Sequence, residues 1–400
     1  KSFQKSILSD KKFIDSKLSL ANLENDFGNY DEAFEIANQI INSNKENDQV
    51  LVKSNLIIGN IYKSKGNYNK AIDVNKKILE KEPNNIDAQY HLSLCYLFTK
   101  EFDKGWKYYE SRYNLQSFVL LRKMLNSFTK PMWNKNMPKE NILIYGEQGI
   151  GEQILYSQFV ELIQVQFKNV TIAVNKKLIP FFKKLYENHK IIDYRFLENY
   201  SDFDYHLPMG SLGQFFQDLV KPDSFQKEVT YTYDNNLIPK KNKKLRCGIS
   251  WKSTNKIFGY KKSIKLEYLN DLFRLDDIEF VNLQYSDEKD EIEIYEKGIN
   301  KSIFLEHKVD CLNDIDGVAG LMKSCDFIIT VSNSNAHISG KLGVKTFLLL
   351  PFNDGKLWYW GLNTEKNIIW YPSIKPIRME KENDWDSCIL NLNKEIENFL

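Results

Sequence analysis

The stretch "IITVSNSNAHISGKLGVKTFLLLP", Ile328 to Pro351, sets two apolar runs on either side of a polar knot and a short helical segment. Continuous apolar runs of this kind belong to strands buried on both faces, and a helix between them makes a strand–helix–strand unit with parallel strands. The helix is expected to open near Asn335, after Ser332, Asn333 and Ser334, with His337 in its first turn. One capping side chain is enough to start a helix. Four small polar residues in a row point further, to an anion at the helix start, where free backbone N–H groups and the positive dipole end meet. Two readings stay open for His337, a core histidine or a ligand contact.

The alternation extends outward from this unit. Upstream lie "RCGISW" (strand), "LEYLNDLF" (helix), "IEFVNLQ" (strand), "DGVAGLMKSC" (helix) and "DFIITV" (strand). A polar break, "PKKNKK", separates them from an earlier series of "NILIYG", "ILYSQFVELIQ", "VTIAV", "FFKKLYENH", "FDYHLPM" and "SLGQFFQDL". Two α/β halves are therefore expected, at residues 141–240 and 241–400, each with a parallel sheet and with ligands at the carboxyl ends of its strands.

The front of the chain is of a different kind. Between Val52 and Asn85, Ile58, Gly59, Tyr62, Ala71 and Pro83 recur at tetratricopeptide spacing, and Leu92, Ser93, Tyr96 and Gly105 repeat the pattern. An earlier unit carries Leu20, Ala21 and Ala33, and "GNYDEA", "GNYNKA" and "KEFDKG" recur as the inter-helix turn. Small residues are needed where paired helices pack closest. The repeats resemble the tetratricopeptide family, which implies a scaffold over residues 1–117 that binds peptide or protein. Residues 118–140, with "TKPMWNKNMPKEN", read as a linker.

Bulk properties exclude several classes. The 400 residues carry 55 basic and 53 acidic side chains, a net charge of +2 that gives no reason to expect nucleic acid as partner. No apolar run is long enough for a membrane span. The opening "KSFQKSILSDKKF" lacks the apolar core of a signal peptide and lacks Met, so residues preceding Lys1 are undecided. The five cysteines are dispersed without a CxxC pair, and the five histidines have no metal-ligand spacing. Cytoplasmic location, no bound metal and no resident cofactor are the expectations.

Three segments can carry chemistry. "GEQGIGEQ" places Gly146, Gly149 and Gly151 between a strand and a helix, where both a structural turn and a ligand cradle fit. Glu147 and Glu152 favour a carboxylate base there over a pure phosphate cradle. "GISWKSTNKIFGYKKSIKLEYL" gathers Lys252, Lys262 and Ser263 between a strand end and a helix start, suited to phosphate. The third is the knot at Ser332–Asn335.

The order of these motifs, completed by "DYHLPMGSL", a "WY" pair and a terminal "DW" helix, resembles bacterial tetratricopeptide-containing glycosyltransferases. These are related to the ADP-heptose:lipopolysaccharide heptosyltransferases (glycosyltransferase family 9-like) and distantly to the O-linked N-acetylglucosamine transferases. The resemblance spans essentially the whole chain. It implies helical repeats followed by a GT-B fold of two Rossmann-like domains, the first on the acceptor side and the second holding the donor. It also implies metal-independent, inverting transfer from a nucleotide sugar to an acceptor, a protein selected by the repeats. Glu152 stands where the family usually has an aspartate proposed as base, and His206 is the reserve. Lys262-Ser263 stands where an Arg-Ser pair is frequent. Diphosphate would be met by Lys252, Lys262, Ser263, Ser332, Asn333, Ser334, Asn335 and His337, beside the Gly149–Gly151 loop. Two other readings remain: a repeat-based adaptor that binds nucleotide without catalysis, and a transferase using a CMP-linked acidic sugar on flagellin-type proteins. Nucleobase, sugar, acceptor, linkage and oligomeric state are not legible.

Overall fold

The computed structural model describes residues 14–220, 224–225, 229–234, 236–238 and 243–400. The opening segment read for a signal peptide lies outside them, as does most of the polar break, at 239–242. The chain divides into two compact units, residues 1–119 and 120–400.

The first unit is helical. Three successive pairs are α1 (Ile14–Asp26) with α2 (Tyr30–Ser43), α3 (Asp48–Ser64) with α4 (Tyr68–Lys81), and α5 (Ile86–Phe98) with α6 (Phe102–Tyr109). Ala21, Ala33 and Ala71 are fully buried between paired helices. At Gly59 a Cβ would stand 2.9 Å from Asn75 Nδ2, and at Gly105 one would stand 2.8 Å from Leu97 Cδ2. The helices approach closely because these positions are small. Gly28 and Gly66 end the first helix of their pairs at positive φ (84° and 72°), and Lys100 takes that conformation in the third pair at 63°. A β-carbon is strained there, which is why glycine occupies the other two turns.

The second unit holds two all-parallel sheets. The first has β1 (Asn141–Tyr145), β2 (Asn169–Val174), β3 (Lys190–Asp193) and β4 (Tyr205–Pro208) in the order β3-β2-β1-β4. The second has β5 (Leu245–Ser250), β6 (Ile278–Asn282), β7 (Phe304–Leu305), β8 (Phe327–Val331), β9 (Thr346–Leu350) and β10 (Ile374–Arg378), in the order β10-β9-β8-β5-β6-β7. Numbered within its own half, the second sheet reads 6-5-4-1-2-3, the doubly wound order. Its topological switch falls between β5 and β8, which pair from Cys247 with Phe327 to Ser250 with Thr330. The crevice beyond the carboxyl ends of those two strands is where such folds hold ligands.

Helices alternate with these strands: α7 (Ile150–Ile163) after β1, α8 (Ile179–Leu185) after β2, α9 (Lys289–Ile299) after β6, α10 (Ile315–Lys323) before β8 and α11 (Ser334–Lys341) after β8; α7, α10 and α11 reach the crevice. Both α7 and α11 are mostly buried, because they pack against each other as well as on their own sheets. Their contact joins the two halves. Lys341, buried near the end of α11, pairs with Glu161 of α7. Among the described residues no helix is long and apolar enough to cross a membrane.

Candidate active site

A cavity of about 360 Å³ opens at the switch point, with walls from both halves. Gly151, Glu152 and Lys177 line it from the first half; Ser253, Lys262, Ser332, Asn333, Ser334, His337 and Tyr359 line it from the second.

Each residue of the polar knot has its own bonding. Ser332 is buried and its Oγ accepts from Trp360 Nε1 at 2.8 Å. Asn333 caps α11, its Oδ1 accepting from the Asn335 amide at 2.9 Å. Its Nδ2 donates to Ser250 Oγ (2.9 Å) and to the Lys252 carbonyl (3.1 Å), tying the ends of β5 and β8 together. Asn335 turns away, donating to the Leu283 carbonyl at 2.7 Å, and lines no part of the cavity. Its amide, expected at a phosphate, is used by the cap. Ser334, the first residue of the helix, lines the cavity.

The two lysines expected at phosphate part company. Lys252 carries its ammonium to Glu288 and to Glu291, the latter at 2.7 Å, and does not line the cavity. Two carboxylates of the α9 region hold it, leaving only its backbone near the site. Lys262 is buried, lines the cavity and makes no ion pair among the described residues. Its ammonium lies 5.2 Å from the centre of the Phe258 ring. Burial lowers its pKa from 10.5 to about 8, with the Glu152 charge opposing the shift. Ser263 staples the same loop, accepting from the Ser253 amide (2.9 Å) and donating to the Gly259 carbonyl (2.7 Å). It too stays out of the cavity.

On the opposite wall, Glu152 sits in the first turn of α7, half-buried, and accepts a hydrogen bond from the Tyr359 hydroxyl at 3.0 Å. Gly149 caps the helix, and a Cβ there would meet the Glu152 carboxylate at 2.8 Å. Glu147 is occupied elsewhere, accepting from the Gly210 amide at 3.2 Å.

His206, the reserve base, is a core residue. It is 4% exposed, stacks on Phe128 at 4.2 Å and bonds Tyr145 through Nδ1 at 3.2 Å. Burial lowers its pKa to about 4. It lines no part of the cavity, because the pleat of β4 turns it toward the 128–133 segment.

His337 is packed in the core and also lines the cavity. It is 3% exposed, bonded to Tyr371 at 2.9 Å and packed on Trp360 at 4.8 Å, yet it lines the cavity. Burial first, and the Lys262 charge second, lower its pKa to about 3, so it is neutral across the physiological range. Gly151 gives the histidine its room: a Cβ there would lie 2.6 Å from His337 Cδ2. The histidine cannot retreat, since Tyr359, Trp360 and Tyr371 surround it. Gly151→Ala is expected to cost about 1–3 kcal/mol of stability by overpacking, read as a lowered unfolding midpoint. An unchanged midpoint would show that α7 and α11 can part freely.

Sequence reasoning did not assign roles to Tyr359, Trp360 or Gln284. A "WY" pair occurs at Trp358-Tyr359 and again at Trp370-Tyr371, and does not include Trp360. Gln284 Oε1 accepts from the amides of Trp251 (3.0 Å) and Lys252 (2.9 Å), shaping the loop after β5, and carries no sequence signal. Among the described residues no group of three or more His, Cys, Asp or Glu could hold a metal ion.

No family model matches the chain. It is 22% identical over 323 residues to protein FlbA of Caulobacter vibrioides, a match covering 74% of this chain and 52% of that protein. The chain thus spans about half the length of the curated relative it matches. Among solved structures it is similar to the ADP-heptose lps heptosyltransferase II of E. coli, at TM-score 0.45 and 8% identity over 64% of this chain and 98% of that one. It is similar to the iron-containing dodecameric glycosyltransferase TibC of enterotoxigenic E. coli, at TM-score 0.40 and 10% identity over 66% and 78% of the two chains. The glycosyl transferase family 9 structure from Veillonella parvula follows at TM-score 0.39 and 12% identity, over 65% and 92%. Heptosyltransferases and a family 9 glycosyl transferase are thus among the solved structures to which this chain is similar.

Proposed function

We propose that the protein is a glycosyltransferase of GT-B architecture, moving a sugar from a nucleoside-diphosphate donor to an acceptor. The observation that carries this reading is Lys262: a buried ammonium without an ion-pair partner among the described residues, facing the same cavity as the start of α11. An uncompensated buried charge is costly, and a site that keeps one is built for an anion. Ser332, Ser334 and the Ser334 amide add donors on that side, and a carboxylate, Glu152, stands on the other.

In this reading the acceptor oxygen attacks the anomeric carbon and gives its proton to Glu152. The bond from that carbon to the phosphate oxygen breaks, and its electron pair leaves on the diphosphate. Lys262 and the first turn of α11 meet the charge that develops there. A single displacement inverts the anomeric centre. The charge complement comes from the chain's own groups, so the reaction is proposed to need no metal. The repeating small residues of the three helix pairs support reading them as tetratricopeptide repeats, proposed to select a protein acceptor.

The test is calorimetric titration with ADP, UDP, GDP and CMP. One nucleoside diphosphate is expected to bind, and Lys262→Met to weaken it by roughly ten- to a hundredfold, the worth of a charge-assisted hydrogen bond. The pH dependence has a defined sign. Phosphate favours the ammonium, so wild-type affinity falls as pH rises through about 8, whereas Lys262→Met shows no such fall. Preference for CMP over every diphosphate would favour the acidic-sugar reading. Binding of none would overturn the donor site.

A further inference from the structure

The geometry points to the turn Trp358–Trp360 as the element that sets the base and the phosphate seat in register, with Tyr359 positioning Glu152 and Trp360 positioning Ser332. The inference rests on the transferase reading above and adds two positioning residues to it.

Glu152 and Tyr359 are 207 residues apart and belong to different halves, yet the Tyr359 hydroxyl donates to Glu152 Oε1 at 3.0 Å. A glutamate in the first turn of a helix has three rotatable side-chain bonds. One fixed donor holds one oxygen and leaves the other to face an acceptor. The next residue makes the other connection: Trp360 Nε1 donates to Ser332 Oγ at 2.8 Å. Because that hydroxyl accepts from the indole, its own proton is directed elsewhere, and Ser332 lines the cavity. The turn itself is held from behind. The Trp360 carbonyl accepts from Arg378 Nη2 of β10 at 2.7 Å, and the chain leaves through Gly361 at φ 75°. His337 packs against both rings, at 5.1 Å from Tyr359 and 4.8 Å from Trp360. One short turn thus touches the catalytic carboxylate with one side chain and the donor side with the next.

Tyr359→Phe and Trp360→Phe keep aromatic packing and remove one hydrogen bond each. Turnover is read as nucleotide release from ADP-, UDP-, GDP- and CMP-linked sugars, and affinity by titration with the matching free nucleotide. Tyr359→Phe is expected to lower kcat about ten- to a hundredfold and to leave nucleotide affinity within about twofold. Trp360→Phe is expected to show the reverse split, with nucleotide affinity reduced severalfold and kcat at saturating donor within about twofold. A Tyr359→Phe protein with wild-type kcat overturns the role, as does equal loss of kcat and affinity in both variants, which packing alone would produce. Wild-type protein that binds nucleotide and turns over none of the four donors overturns the transferase reading itself, and is thereby distinguished from failure of the positioning role.

Discussion

Glu152→Gln is expected to lower turnover by roughly 10²–10⁴-fold, the usual contribution of a positioned general base, while nucleotide affinity stays within about threefold. The substitution is nearly isosteric. Its amide oxygen can still accept from Tyr359, so the 3.0 Å contact across the halves is retained and the change isolates proton acceptance. The charge also has a local reason to be where it is, since a carboxylate in the first turn of α7 is stabilised by the helix dipole. Steady-state kinetics under saturating donor separate the two effects. Turnover within a factor of two of wild type would remove Glu152 as the base. Loss of nucleotide binding alongside turnover would instead make it part of the donor seat.

The second large effect concerns stability. Lys341 is buried where α7 and α11 cross, with Glu161 as its counter-charge and the Tyr186 ring 5.3 Å from its ammonium. Burial works against its charge, but Tyr186 and Glu161 more than offset this, and its pKa is raised. Glu161→Ala strands that ammonium and is expected to destabilise the second unit by about 3 kcal/mol. Changing both partners, Glu161→Leu with Lys341→Met, is expected to recover most of the loss, because no unpaired charge is left behind. Denaturant unfolding followed by tryptophan fluorescence reads this unit almost alone, since only Trp106 of the seven tryptophans precedes residue 120. Equal destabilisation in the single and double variants would mean that packing, not charge, holds the helices.

Much of the frame was legible because it follows from local periodicity. The apolar runs at Ile142–Tyr145, Phe327–Val331 and Thr346–Leu350 are strands buried on both faces, as continuous β-branched and leucine-rich segments should be. The helix start at the polar knot was legible too, within one residue of Ser334.

The site was legible only as a set of neighbourhoods. Lys252 and Lys262 looked alike in a lysine-rich loop. What separates them is Glu288 and Glu291, which lie far along the chain and capture the first. Asn335 and Ser263 carry the right chemistry, but the Leu283 carbonyl and the Ser253 and Gly259 backbone groups use it up. His206 was a reasonable base until the pleat of β4 turned it into the core. Tyr359 could not be found at all from spacing, because its partner is in the other half of the unit. Residue type announces what a side chain can do, and tertiary competition decides which of them remain free to do it.

The most direct measurement of the central claim is a crystal structure of the protein with the nucleoside diphosphate that titration selects. The account predicts the diphosphate in the cavity between the halves, its terminal phosphate oxygen bonded to Lys262 Nζ and to the Ser334 amide, with Glu152 Oε2 turned toward the vacant sugar position. A diphosphate bound elsewhere, or held by Lys252 with Lys262 untouched, would contradict it.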